Sequence, residues 1–298
     1  MIFNNLILSK EAVELARRLL AAGRINLKEL PENRVGDELF AYFLFQRCHG
    51  RAPTNQMLFN DVLYRIKTTD EILDPLRVFV SDKEFVKIFV KGVIGDQYNV
   101  PTIKILRAPD EIDSFNFPDA CCIKPTQTSG VFILRKNGEE LDKHRIKEWF
   151  SINYYEVSRE ANYKLLKPKV IVEPLIFNNH NVNDYKFFCF NGKPKLIQVD
   201  IDRRGNHQRQ IFDTNWKKQE FSIAYPMATK EIAKPKNFEE MIFIVEALAK
   251  NFNFIRIDLY SDGNKCLVGE ITNCHGNATE SFIPKAGEAK ASKLIFGN

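Results

Sequence analysis

Residues 252–272 read FNFIRIDLYSDGNKCLVGEIT, two apolar runs flanking a polar SDGN turn. β-Branched and aromatic residues bounded by Asp, Gly and Asn mark a hairpin with strands at 255–260 and 266–272. Each strand carries one carboxylate among apolar neighbours, Asp258 and Glu270. Two carboxylates on one sheet face repel, so their pairing calls for a divalent cation between them. Register decides whether they meet. Both numbers are even, so they share a face across a loop with an odd number of residues, such as Asp262, Gly263 and Asn264 with Gly263 or Asn264 left-handed. An even loop puts them on opposite faces. Thr272, two beyond Glu270, shares its face, and Asn273 follows.

Outward from the hairpin, the same texture predicts strands at 102–106, 120–124, 131–135, 169–173, 184–190 and 194–200, with helices at 142–151 and 238–250. The chain before residue 97 reads as helical instead. After Ser9, Val13, Ala16 and Leu20 recur at helical spacing until Gly23, and 37–47 and 56–66 are further helices. In SDKEFVKIFVKGVIG (81–95), Ser81 and Glu84 form a capping box, and Phe85, Ile88, Phe89 and Gly92 make one face. The fold class is α+β, helices first and mostly antiparallel strands after. No internal repeat or low-complexity linker is visible.

The chain has 298 residues, 43 Lys plus Arg against 38 Asp plus Glu, and a net charge of +5. Its 44% hydrophobic and 27% charged content excludes a disordered chain. So thin an excess of positive charge does not track a nucleic-acid backbone and fits an anionic small molecule better. Apolar stretches such as 242–248 fall far short of the ~20 residues of a membrane span. The start, MIFNNLILSKEAVELARR, lacks the basic region and cleavage site of a signal peptide, and no separate targeting or membrane module is expected. Six cysteines without a CxxC pair suit a reduced compartment, so a cytoplasmic protein is expected. Cys48 with His49 and Cys274 with His275 are adjacent pairs, a poor spacing for zinc. GxSxG, Walker A and GxGxxG motifs are absent, and nothing nominates a Ser or Cys nucleophile.

Charged residues inside apolar strands need partners, because an unpaired buried charge costs several kcal/mol. Lys124 ends the strand CCIK and precedes PTQTSG, where backbone N–H groups can converge on an anion. The ordinary alternative is a strand-end lysine beside a Pro turn. Glu173 in VIVEPLI is a candidate acceptor for an adenine amino group, or a strand-end carboxylate paired with a nearby lysine. Lys83 stands in the first turn of the helix after Ser81, where the helix dipole disfavours a cation unless an anionic ligand is present. Otherwise it is a solvated lysine. The run DIDRRGNHQRQ (200–210) supplies Arg203, Arg204, His207 and Arg209 on a basic loop, suited to carboxylate or phosphate oxygens if it is not a solvated surface loop.

The order of these signals along the chain resembles the ATP-grasp superfamily. SDKEFVKIFVKGVIGDQY, CCIKPTQTSG, VIVEPLIFN, DYKFFCFNGKPKLIQVDIDRR, FDTNW, FNFIRIDLYSDGNKCLVGEIT and FIPK resemble in particular the TupA-like ATP-grasp family, associated with teichuronopeptide and other bacterial surface polysaccharide synthesis. The resemblance covers residues 81–285. It implies a helical region at 1–108, a small ATP-grasp subdomain with the phosphate loop at 109–175, and a C-terminal subdomain with the metal site at 176–298. It further implies that Lys83 and Lys124 hold ATP phosphates and that Gln127, Thr128, Ser129 and Gly130 are a mobile phosphate loop. Glu173 and the backbone of Leu175 would take adenine, and Lys186 would face the nucleotide. Asp258, Glu270 and Thr272 would bind one or two magnesium ions, and Arg203, Arg204, His207 and Arg209 would meet the transferring phosphate and acyl substrate. Two positions depart from the family pattern: the loop TQTSG holds a single Gly, and Thr272 stands where Asn is usual.

The activity so implied is an ATP-dependent carboxylate–amine ligase working through an acyl phosphate, with Lys186 and Arg203 as catalytic cations. Its carboxylate would be a small molecule or a uronic-acid glycan and its amine an amino acid or peptide, with peripheral contact to lipid-linked glycan machinery. Alternatives are an ATP-grasp kinase acting on a hydroxyl, and a nucleotide-binding module without turnover.

Overall fold

The computed structural model describes residues 7–22, 25–177, 183–203 and 205–297. Gly23, the expected end of the first helix, and Arg204 lie outside the described residues. Helices come first: α1 (Lys10–Ala21), α2 (Arg34–His49), α3 (Phe59–Thr68), α4 (Pro75–Ser81) and α5 (Phe85–Ile94). Then follow β1 (Lys104–Leu106), α6 (Glu111–Ser114), β2 (Cys121–Pro125), β3 (Ile133–Arg135), α7 (Lys143–Glu148), α8 (Tyr154–Ser158) and β4 (Val170–Pro174). The rest of the chain is β5 (Asn183–Phe190), β6 (Lys193–Ile201), β7 (Gln208–Asp213), β8 (Ser222–Ile223), α9 (Phe238–Ala249), β9 (Phe254–Ser261), β10 (Cys266–Thr272), β11 (Phe282–Ile283) and α10 (Gly287–Phe296). All eight expected strands are present, each within two residues of its expected ends. Among the described residues no helix is long and apolar enough to cross a membrane.

Two main sheets result, one ordered β1-β4-β2-β3 and one ordered β10-β9-β5-β6-β7, with every named pair antiparallel. The two-residue alternation of the larger sheet sorts its side chains onto two faces. One face carries Tyr185, Phe187, Cys189, Ile197, Val199, Ile255, Ile257, Leu259 and Ile271, packed on α9 and on Val86 and Val90 of α5. The other is apolar only at one end, where Phe188, Leu196, Ile211 and Phe254 meet Phe59, Leu63 and Ile66 of α3 and Ala291 of α10. Its remaining half holds charged residues. The smaller sheet has its own core, in which Ile123, Val170 and Val172 meet Ile112, Ile146 and Trp149.

Several local expectations are corrected. Ser81 does not cap α5: it ends α4, and its hydroxyl donates to the Arg77 carbonyl at 2.7 Å. Asp82 accepts from the Glu84 and Phe85 amides instead, at 2.8 and 3.3 Å, so Lys83 sits in the turn between two helices rather than inside one. The buried stripe of α5 is Val86 and Val90, while Ile88 is 56% exposed. The basic run is not all loop, because Gln208 begins β7 and Arg209 is a strand residue paired with Asp200.

The hairpin meets its register in an unexpected way. Ser261 pairs with Cys266, so the loop holds Asp262 to Lys265, an even number that alone puts Asp258 and Glu270 on opposite faces. A β-bulge at Gly269 restores the parity and makes Asp258 and Glu270 direct partners. Glycine is required there by space: a Cβ would lie 2.6 Å from Cε2 of Tyr260. Gly269→Val is therefore expected to lower unfolding free energy in urea by about 1–3 kcal/mol. Phe243→Ala, at a side chain 61% exposed, should stay within about 0.5 kcal/mol of the parent. Equal stabilities for the two variants would mean that the bulge is not tightly packed.

Candidate functional site

Lys186, Asp258 and Glu270 are successive Cα partners across β5, β9 and β10, so their side chains rise in a row from the charged face. Lys186 Nζ is 2.7 Å from Asp258 Oδ2, 2.5 Å from Asp184 Oδ2 and 3.9 Å from Asp200 Oδ2. Arg256 grips the same Asp258 from the other side, Nε to Oδ1 at 2.7 Å and Nη2 to Oδ2 at 2.8 Å. Burial would raise the Asp258 carboxyl, but Arg256 and Lys186 hold it down at about 2. Burial likewise opposes charge on Lys186, and the Asp184 and Asp258 carboxylates overcome it and keep the lysine above its ordinary range.

The network continues outward through His275, whose pKa burial lowers. Arg256 Nη1 meets His275 Nδ1 at 2.5 Å, His275 Nε2 lies 3.0 Å from Glu280 Oε2, and Glu280 takes Arg209 Nη1 at 2.6 Å. Arg209 is buried, bonds Asp200 through Nε at 2.7 Å, and so acts as a strut within the sheet. Arg203 is exposed at the rim, its Nη1 2.8 Å from Asp184 Oδ2. His207 stacks on Tyr225 with centroids 3.7 Å apart, its Nε2 3.3 Å from Asp200 Oδ1.

Glu270 differs from these neighbours. It is half-buried and makes no hydrogen bond or ion pair among the described residues. Close to it in sequence, the Thr272 hydroxyl is buried without a hydrogen-bond partner. Asn273 is fully committed: it donates to the Arg77 carbonyl and Ser81 hydroxyl at 3.0 and 3.1 Å and accepts from Arg77 Nη1 at 3.1 Å.

The smaller sheet contributes the second wall. Cys122 is the partner of Glu173 in the β2–β4 register, which sets Lys124 diagonally across from Glu173 on one face. Glu173 is buried, with Lys124 Nζ 2.6 Å from Oε2 and Lys87 Nζ 2.6 Å from Oε1. Leu175 follows the strand, half-buried. The β2–β3 connection is fastened along one side: Thr126 donates its amide to Lys169 O at 2.9 Å and its hydroxyl to Asp82 Oδ2 at 3.1 Å, and Gln127 Nε2 donates to Trp149 O at 2.9 Å. Ser129 is half-buried, and Gly130 is left-handed at φ +77°. Lys83 Nζ donates to the Thr128 carbonyl.

These two walls face each other. Burial lowers the pKa of Lys83, and Glu270 of the larger sheet is the strongest charge opposing that shift. Burial of Tyr260, on β9, raises its hydroxyl to about 12, while Lys124 of the smaller sheet pulls it back. The sequence reading named Lys83, Lys124, Lys186, Asp258 and Glu270, and the structure brings these around one cleft. It missed Arg256, Asp184, Tyr260 and Lys87, although Arg256 and Asp184 stand two residues before Asp258 and Lys186 on the same strand faces. Among the described residues no three His, Cys, Asp and Glu side chains form a metal-holding group by themselves. Two open surface recesses, of about 480 and 470 Å³, lie elsewhere and are lined by none of the candidate residues.

Comparison with known proteins follows this geometry. Among solved structures, D-alanine–D-alanine ligase from Bacillus anthracis is similar at 18% identity and TM-score 0.40, over 73% of this chain and 64% of that one. The L-amino acid ligase from Bacillus licheniformis gives 12% identity and TM-score 0.41, over 74% and 51%. D-Alanine–D-alanine ligase from Helicobacter pylori gives 16% and 0.38, over 68% and 56%. The chain thus spans less than two thirds of the length of these structures. No curated protein matches it. The model of the TupA-like ATP-grasp family matches residues 63–292, a span that holds both sheets and every charged residue of the cleft. The chain belongs to the TupA-like ATP-grasp family and has the ATP-grasp fold.

Proposed function

We propose that the protein is an ADP-forming, ATP-dependent carboxylate–amine ligase. One observation carries the reading: Lys83 and Lys124, beside the Gln127–Gly130 loop, face the Lys186, Asp258 and Glu270 row across a single cleft. In the reaction, a substrate carboxylate oxygen bonds to the γ-phosphorus of ATP and the bond from that phosphorus to ADP breaks. An amine nitrogen then bonds to the acyl carbon, the carbon–oxygen bond to phosphate breaks, and the nitrogen releases a proton. Such transfer needs in-line positioning and cations on the developing charge rather than a side-chain nucleophile.

Each residue has a role in this proposal. Lys83 and Lys124 neutralise ATP phosphates, with Ser129 and Gly130 at the open end of the loop. Lys124 would exchange its Glu173 partner for phosphate, leaving Glu173 and the Leu175 backbone for adenine. Arg203, exposed at the rim, meets the acyl substrate, with His207 beside it. Buried Arg209 supports them through Asp200.

The residues present fit one magnesium ion. Asp258 and Glu270 are paired on one face, the Thr272 hydroxyl lacks a partner, and Asn273 is tied to Arg77 and Ser81 and cannot extend the set. Glu270 and Thr272 with Asp258 would hold that ion, which neutralises phosphate charge when bound. One observation favours a module without turnover: both oxygens of Asp258 are engaged by Lys186 and Arg256. The surface-polysaccharide setting, with a uronic-acid carboxyl, an amino acid or peptide amine and a cytoplasmic location, rests on family resemblance.

Product analysis with ATP, magnesium, free uronic acids and free amino acids tests the reaction. Release of ADP and phosphate that requires both carboxylate and amine is expected. A stable phosphorylated product would establish a kinase, and no turnover a binding module. Glu270→Gln should cost about 100-fold or more in turnover while the urea unfolding midpoint holds. Survival of activity to within a few-fold would remove Glu270 from the metal site. Lys124→Ala should raise the ATP dissociation constant about 10- to 100-fold in calorimetry. An unchanged constant would overturn its phosphate role.

A further inference from the structure

Glu160 belongs to no motif in the sequence, yet it is 5% exposed and its carboxylate accepts no hydrogen bond and makes no ion pair among the described residues. Buried carboxylates are ordinarily paired, so an unpaired one held in place points to a ligand. The turn that carries it is rigidly fixed. Lys67 Nζ and Asn277 Nδ2 both donate to the Ser158 carbonyl, at 2.7 and 3.1 Å, and the Glu160 amide donates to the Ser158 hydroxyl at 3.1 Å. Arg159 adopts φ +51° while its guanidinium bonds Leu30 O at 2.7 Å, Pro31 O at 2.9 Å and Asp37 Oδ1 at 3.0 Å. A backbone so strained persists where its surroundings over-determine it.

Glu160 sits in the same field as Glu270. Burial raises the Glu160 carboxyl to about 7, Lys67 and Arg256 oppose the rise, and Glu270 adds to it. The hydroxyls of Tyr154 and Tyr163, whose rings meet edge-on at 4.8 Å, respond first to burial and then to both carboxylates. Two residues beyond Glu160, Asn162 Nδ2 donates to the Ser81 hydroxyl at 2.8 Å, and Asn273, next to Thr272, donates to the same hydroxyl at 3.1 Å, which puts the turn of Glu160 against the end of β10. With Glu270 assigned to the magnesium ion, Glu160 is the carboxylate left without a bonded cation, and it creates a place for one. A second metal ion suits it poorly, since no three metal-ligating side chains gather there and Lys67 and Arg256 already lend positive charge. A monovalent ammonium suits it well, because its N–H groups satisfy the Glu160 oxygens.

We propose that Glu160 docks the ammonium group of the amine nucleophile beside Glu270, the ammonium losing one proton to solvent before its nitrogen attacks and a second as the amide forms, making Glu160 the residue that selects a charged, amino-acid-type amine. The proposal rests on the ligase reading and deepens it. Its test uses the full chain with ATP, magnesium, a panel of free uronic acids and two kinds of nucleophile. Free amino acids arrive as ammonium ions. Hydroxylamine is uncharged at neutral pH and traps an acyl phosphate as hydroxamate without an ammonium dock. For Glu160→Gln, KM for the amino acid should rise about 10- to 100-fold, while hydroxamate formation stays within about twofold of the parent. Glu160→Asp should recover part of the amino-acid KM. Loss of both reactions in Glu160→Gln, or of neither, overturns the docking role, as does a parent enzyme that forms hydroxamate but uses no amino acid. Absence of hydroxamate from the parent with every uronic acid overturns the ligase reading itself.

Discussion

The carboxylate of Asp258, gripped by Lys186 on one side and Arg256 on the other, is the interaction on which the charged face depends. Charges this deeply buried are tolerated only in combination, and removing one partner of such a pair costs about 3–5 kcal/mol. From this centre bonded side chains run along two branches, through Asp184 to Arg203 and through His275, Glu280 and Arg209 to Asp200. The face is therefore set before any ligand arrives. Among the described residues, Glu270 on this face is left without a bonded cation, and on the opposite wall Lys83 Nζ meets only the Thr128 carbonyl.

The turn between α4 and α5 ties this face to the opposite wall. The Lys83 amide donates to the Thr126 carbonyl at 3.2 Å, and Lys169 reaches Asp82 and Glu84 at 3.0 and 2.5 Å. A few residues later, Val86 and Val90 are embedded in the core of the larger sheet. One short segment thus contacts the phosphate loop at one end and the main core at the other. The two walls are joined through α5 and its turn.

Much of this was legible in the sequence because strands alternate strictly and a charge within an apolar run stands out. Lys124, Glu173, Asp258 and Glu270 were found that way, and Lys186 through the family resemblance. The same logic failed where a local feature overrode the alternation. The Gly269 bulge reverses the parity expected from the turn, and only contact with Tyr260 reveals why a glycine is there. Helix α4 went unread although Asp74 and Pro75 form a helix start, Asp74 accepting from the Leu76 and Arg77 amides. Arg209 looked like loop because β7 opens on polar residues. Glu160 was invisible for another reason: a glutamate between Arg and Ala is unremarkable, and the turn that carries it is held by Lys67 and Asn277, far away in the chain.

The bulge also frees the loop it corrects. Because parity is reset at Gly269, after the pairing of Ser261 with Cys266 is complete, the alignment of Asp258 with Glu270 does not depend on how many residues lie at the tip. Residues 262–265 close on themselves, with Asp262 Oδ1 accepting from the Asn264 and Lys265 amides at 2.8 and 2.9 Å. The tip is therefore a natural seam for grafting, where a peptide tag or small reporter domain can be spliced in while the acidic pair stays in register.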